Sequence, residues 1–336
     1  MSNTEDYLEF ENYYIASAKF ASISCAVDLG IFEFLKDEPS SSELLALSLN
    51  LNRHVSSALL KALESLNLLK CESDIYYLNE KSKNFLLKQS RYYQGNEFLR
   101  KAHPEILQRF KQALQKGTAA LEYRGQVITN MWQAGSIDKE TAKAFTYVMD
   151  SMMAYPANYH AQNSSISNHK KLIDIGGGSG AWAIELCNMN SHITVEVFDL
   201  PEVLETTKEI IRRTLITERI SLIPGNFFDS IPKGNIYLLS NILHDWPEDE
   251  CLKILMNIHR DSEDKCSLYI HECLLDEGET SPTFTCIFNL LMAANHNSSQ
   301  FTLKRLQKLL EQAGFKFANV DSNVGYYQLV KFDKVN

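Results

Sequence analysis

The stretch LLSNILHDWPEDE, residues 238–250, ends an apolar run with a histidine, an acid and a tryptophan. The apolar residues predict a buried strand, and the acids after Pro247 are typical of the first turn of a helix. The imidazole of His244, with an ordinary pKa of about 6.5, can accept a proton near neutral pH. His244 is therefore a candidate general base, although a helix-capping or core histidine would give the same local pattern.

A second chemical pattern lies earlier in the chain, in LIDIGGGSG. Gly176 and Gly178 directly follow a short apolar strand, where glycines let the backbone turn tightly and approach a ligand. The next strand ends in VEVFDL, which places Asp199 where an acid can bind the two hydroxyls of a ribose. The glycine spacing matches neither a dinucleotide-binding loop nor a P-loop with its lysine. Apart from a plain tight turn, the pattern indicates an adenosine-bearing cofactor without a pyrophosphate.

The elements that must position these residues begin at about residue 170, where short apolar runs alternate with helical segments. This alternation predicts an α/β fold with a doubly wound, mostly parallel seven-stranded sheet. The last two strands are joined by only a few residues around Asn323 to Gly325, so they must be antiparallel. Ligands of such sheets bind beyond the carboxyl ends of the strands, so we expect the glycine loop, Asp199 and His244 at one rim.

The N-terminal part reads as three helices followed by a small hairpin, the order of a winged helix. Its candidate recognition helix, residues 52–66, offers Arg53, His54 and Lys61, which Glu64 opposes, and it lacks the clustered basic face of a DNA reader. A dimerisation module is favoured, and a regulator that senses a small molecule is the alternative. We predict a winged-helix-like domain over residues 1–100, a helical linker that contributes to an acceptor pocket over 101–165, and a catalytic domain over 166–336.

Composition narrows the function classes further. The 336 residues contain 33 Lys and Arg against 42 Asp and Glu, a net charge of −9 that disfavours nucleic acid and anionic membranes as general partners. The seven cysteines are scattered without a CxxC pair, which argues against a disulfide framework and a zinc site. Neither a signal peptide nor an apolar run of membrane-spanning length is recognisable. We expect a cytoplasmic protein that binds no nucleic acid, membrane or metal.

The segments LIDIGGGSG, FDLP, GNFF and LHDWPEDECLKIL together resemble the class I methyltransferases that use S-adenosylmethionine (SAM). More narrowly, they are similar to the O-methyltransferases of the caffeic-acid and hydroxyindole type, which have bacterial relatives acting on aromatic polyketides. The resemblance covers nearly the whole chain, and AVDLGIFEFL fits the dimerisation domain of that family. It implies a homodimer that binds SAM and releases S-adenosylhomocysteine (SAH).

The resemblance also implies which residues hold the cofactor. They are Gly176, Gly178, Asp199, Leu200, Asn226, Phe227 and Ser240. The glycines would lie along the methionine part, Asp199 would bind the ribose, and Leu200 and Phe227 would lie against the adenine. Asn226 replaces a family acid that approaches the adenine amine, and its amide oxygen can still accept from that amine. Ser240 stands where relatives often carry lysine or arginine, so one cofactor contact is lost or taken by water.

By the same resemblance, His244 takes the proton of a phenol, and the oxygen then attacks the sulfonium methyl in line. Glu272, at the end of LYIHECLL, matches the first of two acids that orient the histidine. Gln300 stands where relatives have the second, and an amide cannot stabilise imidazolium with a full charge.

The acceptor pocket is expected from two segments of the chain. The candidate residues are Met149, Met153, Met292 and His296. Methionines and aromatic residues suit a planar aromatic ring system, so we expect a hydroxylated, polycyclic polyketide-like acceptor such as an anthraquinone. Asn226, Ser240 and Gln300 leave an alternative open, in which the protein binds SAM but is a pericyclase, a decarboxylase or a non-catalytic partner.

Overall fold

The computed structural model describes residues 4–90, 93–95, 98–99, 104–117, 121–123, 126–128, 139–296 and 298–335. The chain divides into two compact units, residues 1–129 with 275–302 and residues 130–274 with 303–336. The helices are α1 (Thr4–Asp28), α2 (Ile31–Asp37), α3 (Ser42–Ser48), α4 (Arg53–Ser65), α5 (Glu80–Phe85), α6 (Pro104–Lys116), α7 (Lys139–Asn163), α8 (Ala181–Met189), α9 (Pro201–Ile211), α10 (Glu248–Asp261), α11 (Thr283–His296) and α12 (Leu303–Gln312). The strands are β1 (Ser40–Ser41), β2 (Leu69–Glu72), β3 (Ile75–Leu78), β4 (Leu121–Tyr123), β5 (Gln126–Ile128), β6 (Lys171–Ile175), β7 (Thr194–Asp199), β8 (Ile220–Pro224), β9 (Ile236–Ser240), β10 (Ser267–Cys273), β11 (Phe315–Val324) and β12 (Tyr327–Lys334).

The first unit has the predicted winged-helix-like order of helices followed by a hairpin. The side chain of Asn52 accepts a hydrogen bond from the backbone N–H of Val55 and so starts α4. Leu59 and Leu63 then fall on the buried face of this helix. Strands β2 and β3 pair antiparallel, and the short strand β1 pairs with β3. The expected helical N-terminal domain is confirmed.

The segment 275–302 belongs to the first unit, although the sequence predicts an uninterrupted catalytic domain from residue 166. Its helix α11 is apolar, and it packs against α4 and α1. Lys61 pairs with Glu279, and the Thr283 hydroxyl donates to the carbonyl oxygen of Ser65 at 3.0 Å. These partners lie far apart in the chain, so local pattern does not reveal them.

The second unit contains the predicted seven-stranded sheet, in the order β11-β12-β10-β9-β6-β7-β8. Strands β6 to β10 pair parallel, whereas β12 runs antiparallel to both β10 and β11. The predicted antiparallel final pair is confirmed. A cluster of buried apolar side chains packs against this sheet; it includes Leu172, Val195 and Leu238.

The topology of this sheet determines where a ligand can bind. The chain starts at β6, adds β7 and β8 on one side, and returns to place β9 on the other side. Such a reversal opens a crevice at the carboxyl ends of the strands. We call this edge the carboxyl rim; it consists of the last two residues of β6, β7, β8, β9 and β10 and the residues that follow them.

Among the described residues, no single helix is long and apolar enough to cross a membrane. One bent pair, Thr4–Asp28 with Ile31–Asp37, meets the length and composition criteria when its two helices are taken together.

Candidate active site

The glycine loop begins the carboxyl rim after β6. Gly176 and Gly178 have φ angles of +65° and +54°, in the left-handed region that favours glycine. A Cβ atom at Gly176 would come within 2.5 Å of the Ile242 side chain, which follows β9. At Gly178 a Cβ atom would meet only the carbonyl oxygen of Gly176, at 4.0 Å. The backbone of Gly178 is therefore open to a ligand.

Asp199 connects the end of β7 to this loop. Its Oδ2 accepts from the backbone N–H of Gly178 at 2.8 Å, and its Oδ1 accepts from that of Leu200 at 2.7 Å. Burial raises the pKa of Asp199 to about 6, and these two hydrogen bonds oppose the shift. Leu200 itself is half-buried and precedes α9. The acid is thus held in place by backbone groups on both sides.

Asp174 is a rim residue that the sequence interpretation did not include in the site. Its side chain is 1% exposed, and neither carboxyl oxygen has a hydrogen-bond partner among the described residues. Burial, and then the charge of Asp199, raises the pKa of Asp174 to about 7. A Cβ atom at Gly177 would lie 2.7 Å from Asp174 Oδ2, so this carboxyl group sits directly against the glycine loop. An acid at a strand end, one residue before a glycine run, is the sequence signal that could have found it.

The predicted pair of His244 and Glu272 is formed at the ends of β9 and β10. Nδ1 of His244 lies 2.6 Å from Oε2 of Glu272, and Oε1 of Glu272 accepts from the backbone N–H of Leu243 at 3.1 Å. His244 is 4% exposed and Glu272 is fully buried. On the other side of the ring, Oδ1 of Asp245 lies 3.6 Å from Nε2.

Two neighbouring histidines have opposite charge preferences at this rim. Burial opposes protonation of His244, but the carboxylates of Glu272 and Asp245 outweigh it and raise its pKa to about 9. Burial, together with the charges of His160 and His244, holds the pKa of His271 well below its usual range. Of these two histidines, His244 is therefore the one whose surroundings favour the positively charged form.

Ser240, at the end of β9, is engaged within the protein. Its Oγ accepts from Nε1 of Trp182 at 3.0 Å and lies 2.9 Å from Nδ1 of His271. The next residue, Asn241, donates from Nδ2 to the thioether of Met153 at 2.8 Å. A cofactor contact of Ser240 stays a prediction.

The loop after β8 contains Asn226 and Phe227. Oδ1 of Asn226 accepts from the backbone N–H of Phe228 at 3.0 Å. The Phe227 ring is half-buried and meets Trp246 edge-to-face at 5.8 Å between ring centroids. Asn257 donates from Nδ2 to the carbonyl oxygens of Phe227 and Phe228, at 3.0 and 2.9 Å.

The other predicted residues are distributed between the units. Met149 is half-buried and Met153 is buried, both on α7 of the second unit. Met292 and Gln300 are buried in the first unit, where the backbone N–H of Gln300 donates to Asn289 Oδ1 at 2.8 Å. His296 ends α11, and its side chain lies outside the described residues. The roles of these residues stay predictions.

Within the described parts of the chain, no group of three or more His, Cys, Asp or Glu residues could hold a metal ion.

The sequence matches two known protein-family models. Residues 107–316 match the O-methyltransferase domain, and residues 12–88 match the O-methyltransferase dimerisation domain. The chain belongs to the O-methyltransferase family. It is an enzyme that uses S-adenosylmethionine as its methyl donor, and it is related to biosynthetic methyltransferases of aromatic compounds.

Individual relatives are distant but extend over most of the chain. The N,N-dimethyltransferase OxyT of Streptomyces rimosus is 26% identical over 322 residues, covering 92% of this chain and 91% of that protein. An O-methyltransferase family 2 protein of Planctomyces limnophilus, solved with apigenin, has a TM-score of 0.80 at 20% identity, covering 98% and 96% of the two chains. Human N-acetylserotonin methyltransferase, solved with SAM, has a TM-score of 0.62 at 24% identity, covering 100% and 99%.

Proposed function

We propose that this enzyme methylates a phenolic hydroxyl of a planar, polycyclic aromatic small molecule, with His244 as the general base. The observation that carries the proposal is the buried pair of His244 and Glu272, 2.6 Å apart at the carboxyl rim. A base held by a carboxylate at the ligand-binding edge of the sheet is arranged for proton transfer.

The glycine loop and two acids fit the methyl donor. Gly178 leaves the backbone open to a ligand, and Asp199 keeps lone pairs for the ribose hydroxyls. The two carboxyl oxygens of Asp174 are acceptors without donors, which suits the ammonium group of the methionine part. When bound, S-adenosylmethionine supplies an electrophilic methyl group on a sulfonium.

His244 then removes the proton from the acceptor. Because Nδ1 donates to Glu272, Nε2 is the ring nitrogen that accepts the proton. Nε2 would keep this proton while the acceptor oxygen takes the methyl group of bound S-adenosylmethionine, which would leave as SAH. Glu272 and Asp245 stabilise the imidazolium that results. A phenol, with a pKa of about 10, loses its proton to such a base more readily than an aliphatic alcohol does.

An aromatic acceptor is supported by α7 and by a structural relative. The thioether of Met153 accepts from Asn241, three residues before His244, so this helix reaches the rim. Met149 lies one turn earlier on the same helix, and methionine side chains adapt well to flat apolar ligands. The Planctomyces relative was solved in complex with apigenin, and OxyT is named as an N,N-dimethyltransferase, so an amine is a second candidate acceptor.

We also propose that the enzyme is a homodimer that associates through the first unit. Residues 12–88 match the dimerisation domain, and α1 exposes 70% of Phe10 and 61% of Tyr13. Exposed large apolar side chains are typical of an interface. Light scattering should give twice the mass of one chain, and a monomer at micromolar concentration would contradict this assignment.

The function is tested by mass spectrometry of the products. The protein is incubated with SAM and hydroxylated anthraquinones, flavonoids, catechols and one aromatic amine. We expect a product heavier by one methyl group and an equal amount of SAH. Binding of SAM with neither product would instead favour a family member that does not transfer methyl groups.

A further inference from the structure

The order of the strands indicates where each part of the cofactor lies, if the proposed assignment of the rim is correct. Strands β6, β7 and β8 are consecutive neighbours in the sheet, and Asp199 pairs with Pro224 at the ends of β7 and β8. The methionine part lies at the glycine loop and the ribose at Asp199. The base then lies at the loop that follows β8, which contains Asn226.

The hydrogen bond to Phe228 identifies the two ends of the Asn226 amide. An atom that accepts from a backbone N–H must be the oxygen, so the other end is the NH₂ group. This Asx-type turn uses one lone pair of Oδ1 within the loop, and it leaves Nδ2 with two donor hydrogens directed away from the turn. Asn226 is half-buried, so Nδ2 is available to a ligand at the rim.

Two backbone carbonyl groups of the same loop already accept hydrogen bonds from within the protein. Nδ2 of Asn257 donates to the carbonyl oxygens of both Phe227 and Phe228. The loop therefore offers the base an aromatic ring at Phe227 and a donor at Asn226, whereas the carbonyl oxygens of Phe227 and Phe228 already accept from Asn257. The adenine amine is itself a donor and does not complement another donor.

We propose that Asn226 recognises the adenine as a hydrogen-bond donor, from Nδ2 to a ring nitrogen, and does not read the 6-amino group. This inference rests on the proposed cofactor site. An aspartate at this position would keep the turn through one oxygen and would offer the other oxygen to the amine. The side chain at residue 226 thus determines which edge of the purine contributes to affinity.

The test compares SAH with its 6-deamino analogue, which has purine in place of adenine and keeps every ring nitrogen. Calorimetry should give the wild-type protein dissociation constants within about threefold for the two compounds, because Asn226 does not bind the amine. In Asn226→Asp, the preference for SAH over the analogue should rise about tenfold or more, because a carboxylate accepts from the amine. Asn235→Asp adds the same charge at the amino end of β9, and it should leave the ratio unchanged.

The outcomes distinguish failure of this inference from failure of the proposed cofactor site. A wild-type preference for SAH above about tenfold, or an unchanged ratio in a folded Asn226→Asp variant, would overturn the inference while the cofactor site stands. Failure of the wild-type protein to bind either compound would overturn the proposed site and the inference with it. Thermal unfolding of the variant confirms that it is folded.

Discussion

Two buried carboxyl groups on nearby strands of the same sheet differ in how they are satisfied. At the end of β10, both oxygens of Glu272 are hydrogen-bonded, one to His244 and one to the backbone of Leu243. Next to the end of β6, neither oxygen of Asp174 has a partner in the part of the chain that the structure describes. Burying a carboxyl group without partners is costly; the protein completes the first group itself, and we propose that a ligand completes the second.

The same difference assigns different tasks to the two ends of the rim. The satisfied carboxylate stabilises charge on its neighbour and raises the pKa of His244 to about 9, against the effect of burial. The unsatisfied one has its own pKa raised to about 7 by burial and by Asp199. The pair at β10 is therefore suited to proton transfer, and the lone acid at β6 is suited to binding a cation.

The largest expected effect separates chemistry from binding. His244→Ala should lower kcat by about 10²–10⁴-fold, because the general base is lost, and should leave the dissociation constant of SAH within about threefold. His192→Ala, a histidine on the surface, is the matched control and should behave as the wild type. A His244→Ala enzyme with nearly full kcat would contradict the assignment of His244 as the general base.

The next effect concerns how much the pair of His244 and Glu272 contributes to the free energy of unfolding. The pKa of His244 is about 9 in the folded protein and about 6.5 when unfolded, so its contribution is complete below pH 6.5 and is lost as pH rises through 9. The loss should amount to roughly 2–4 kcal/mol in the free energy of unfolding, measured with denaturant across this range. Glu272→Gln should flatten the dependence of the free energy of unfolding on pH. An equal slope in both proteins would show that Glu272 does not raise the pKa of His244.

At the other end of the rim, Asp174→Asn should act in two directions. At pH 8 it should stabilise the free protein by about 1–3 kcal/mol, because a buried charge without a partner is removed. This stabilisation should shrink as pH falls below about 7, the pKa of folded Asp174, and it should vanish only below about 4, where the unfolded carboxyl group is protonated as well. SAM affinity should fall about tenfold or more, by calorimetry. Stabilisation without loss of affinity would mean that Asp174 does not bind the cofactor.

The smallest effect tests the residue between the two ends. Ser240→Ala removes the hydroxyl that binds Trp182 and His271, and it should lower stability by about 1–2 kcal/mol. Its SAH affinity should stay within about twofold of the wild type, because that hydroxyl is used inside the protein. A larger loss of affinity would instead support the cofactor contact that the family resemblance implies for Ser240.

Local patterns predicted much of this molecule. The period of the apolar residues identifies the strands, and LIDIGGGSG and LHDW place a glycine loop and a histidine at strand ends. What escaped prediction depends on partners distant in sequence. The bond between Trp182 and Ser240, the contact of Lys61 with Glu279 that ties 275–302 to the first unit, and the missing partners of Asp174 are tertiary facts.

The most direct test of the account is the pH dependence of kcat/KM for the acceptor, at saturating SAM, in the wild type and Glu272→Gln. Removing the carboxylate should lower the pKa of His244, so the rising limb of the profile should move at least about one pH unit towards acid, and its plateau should fall. A rising limb at the same pH in both enzymes would contradict the claim that Glu272 tunes His244 as the base.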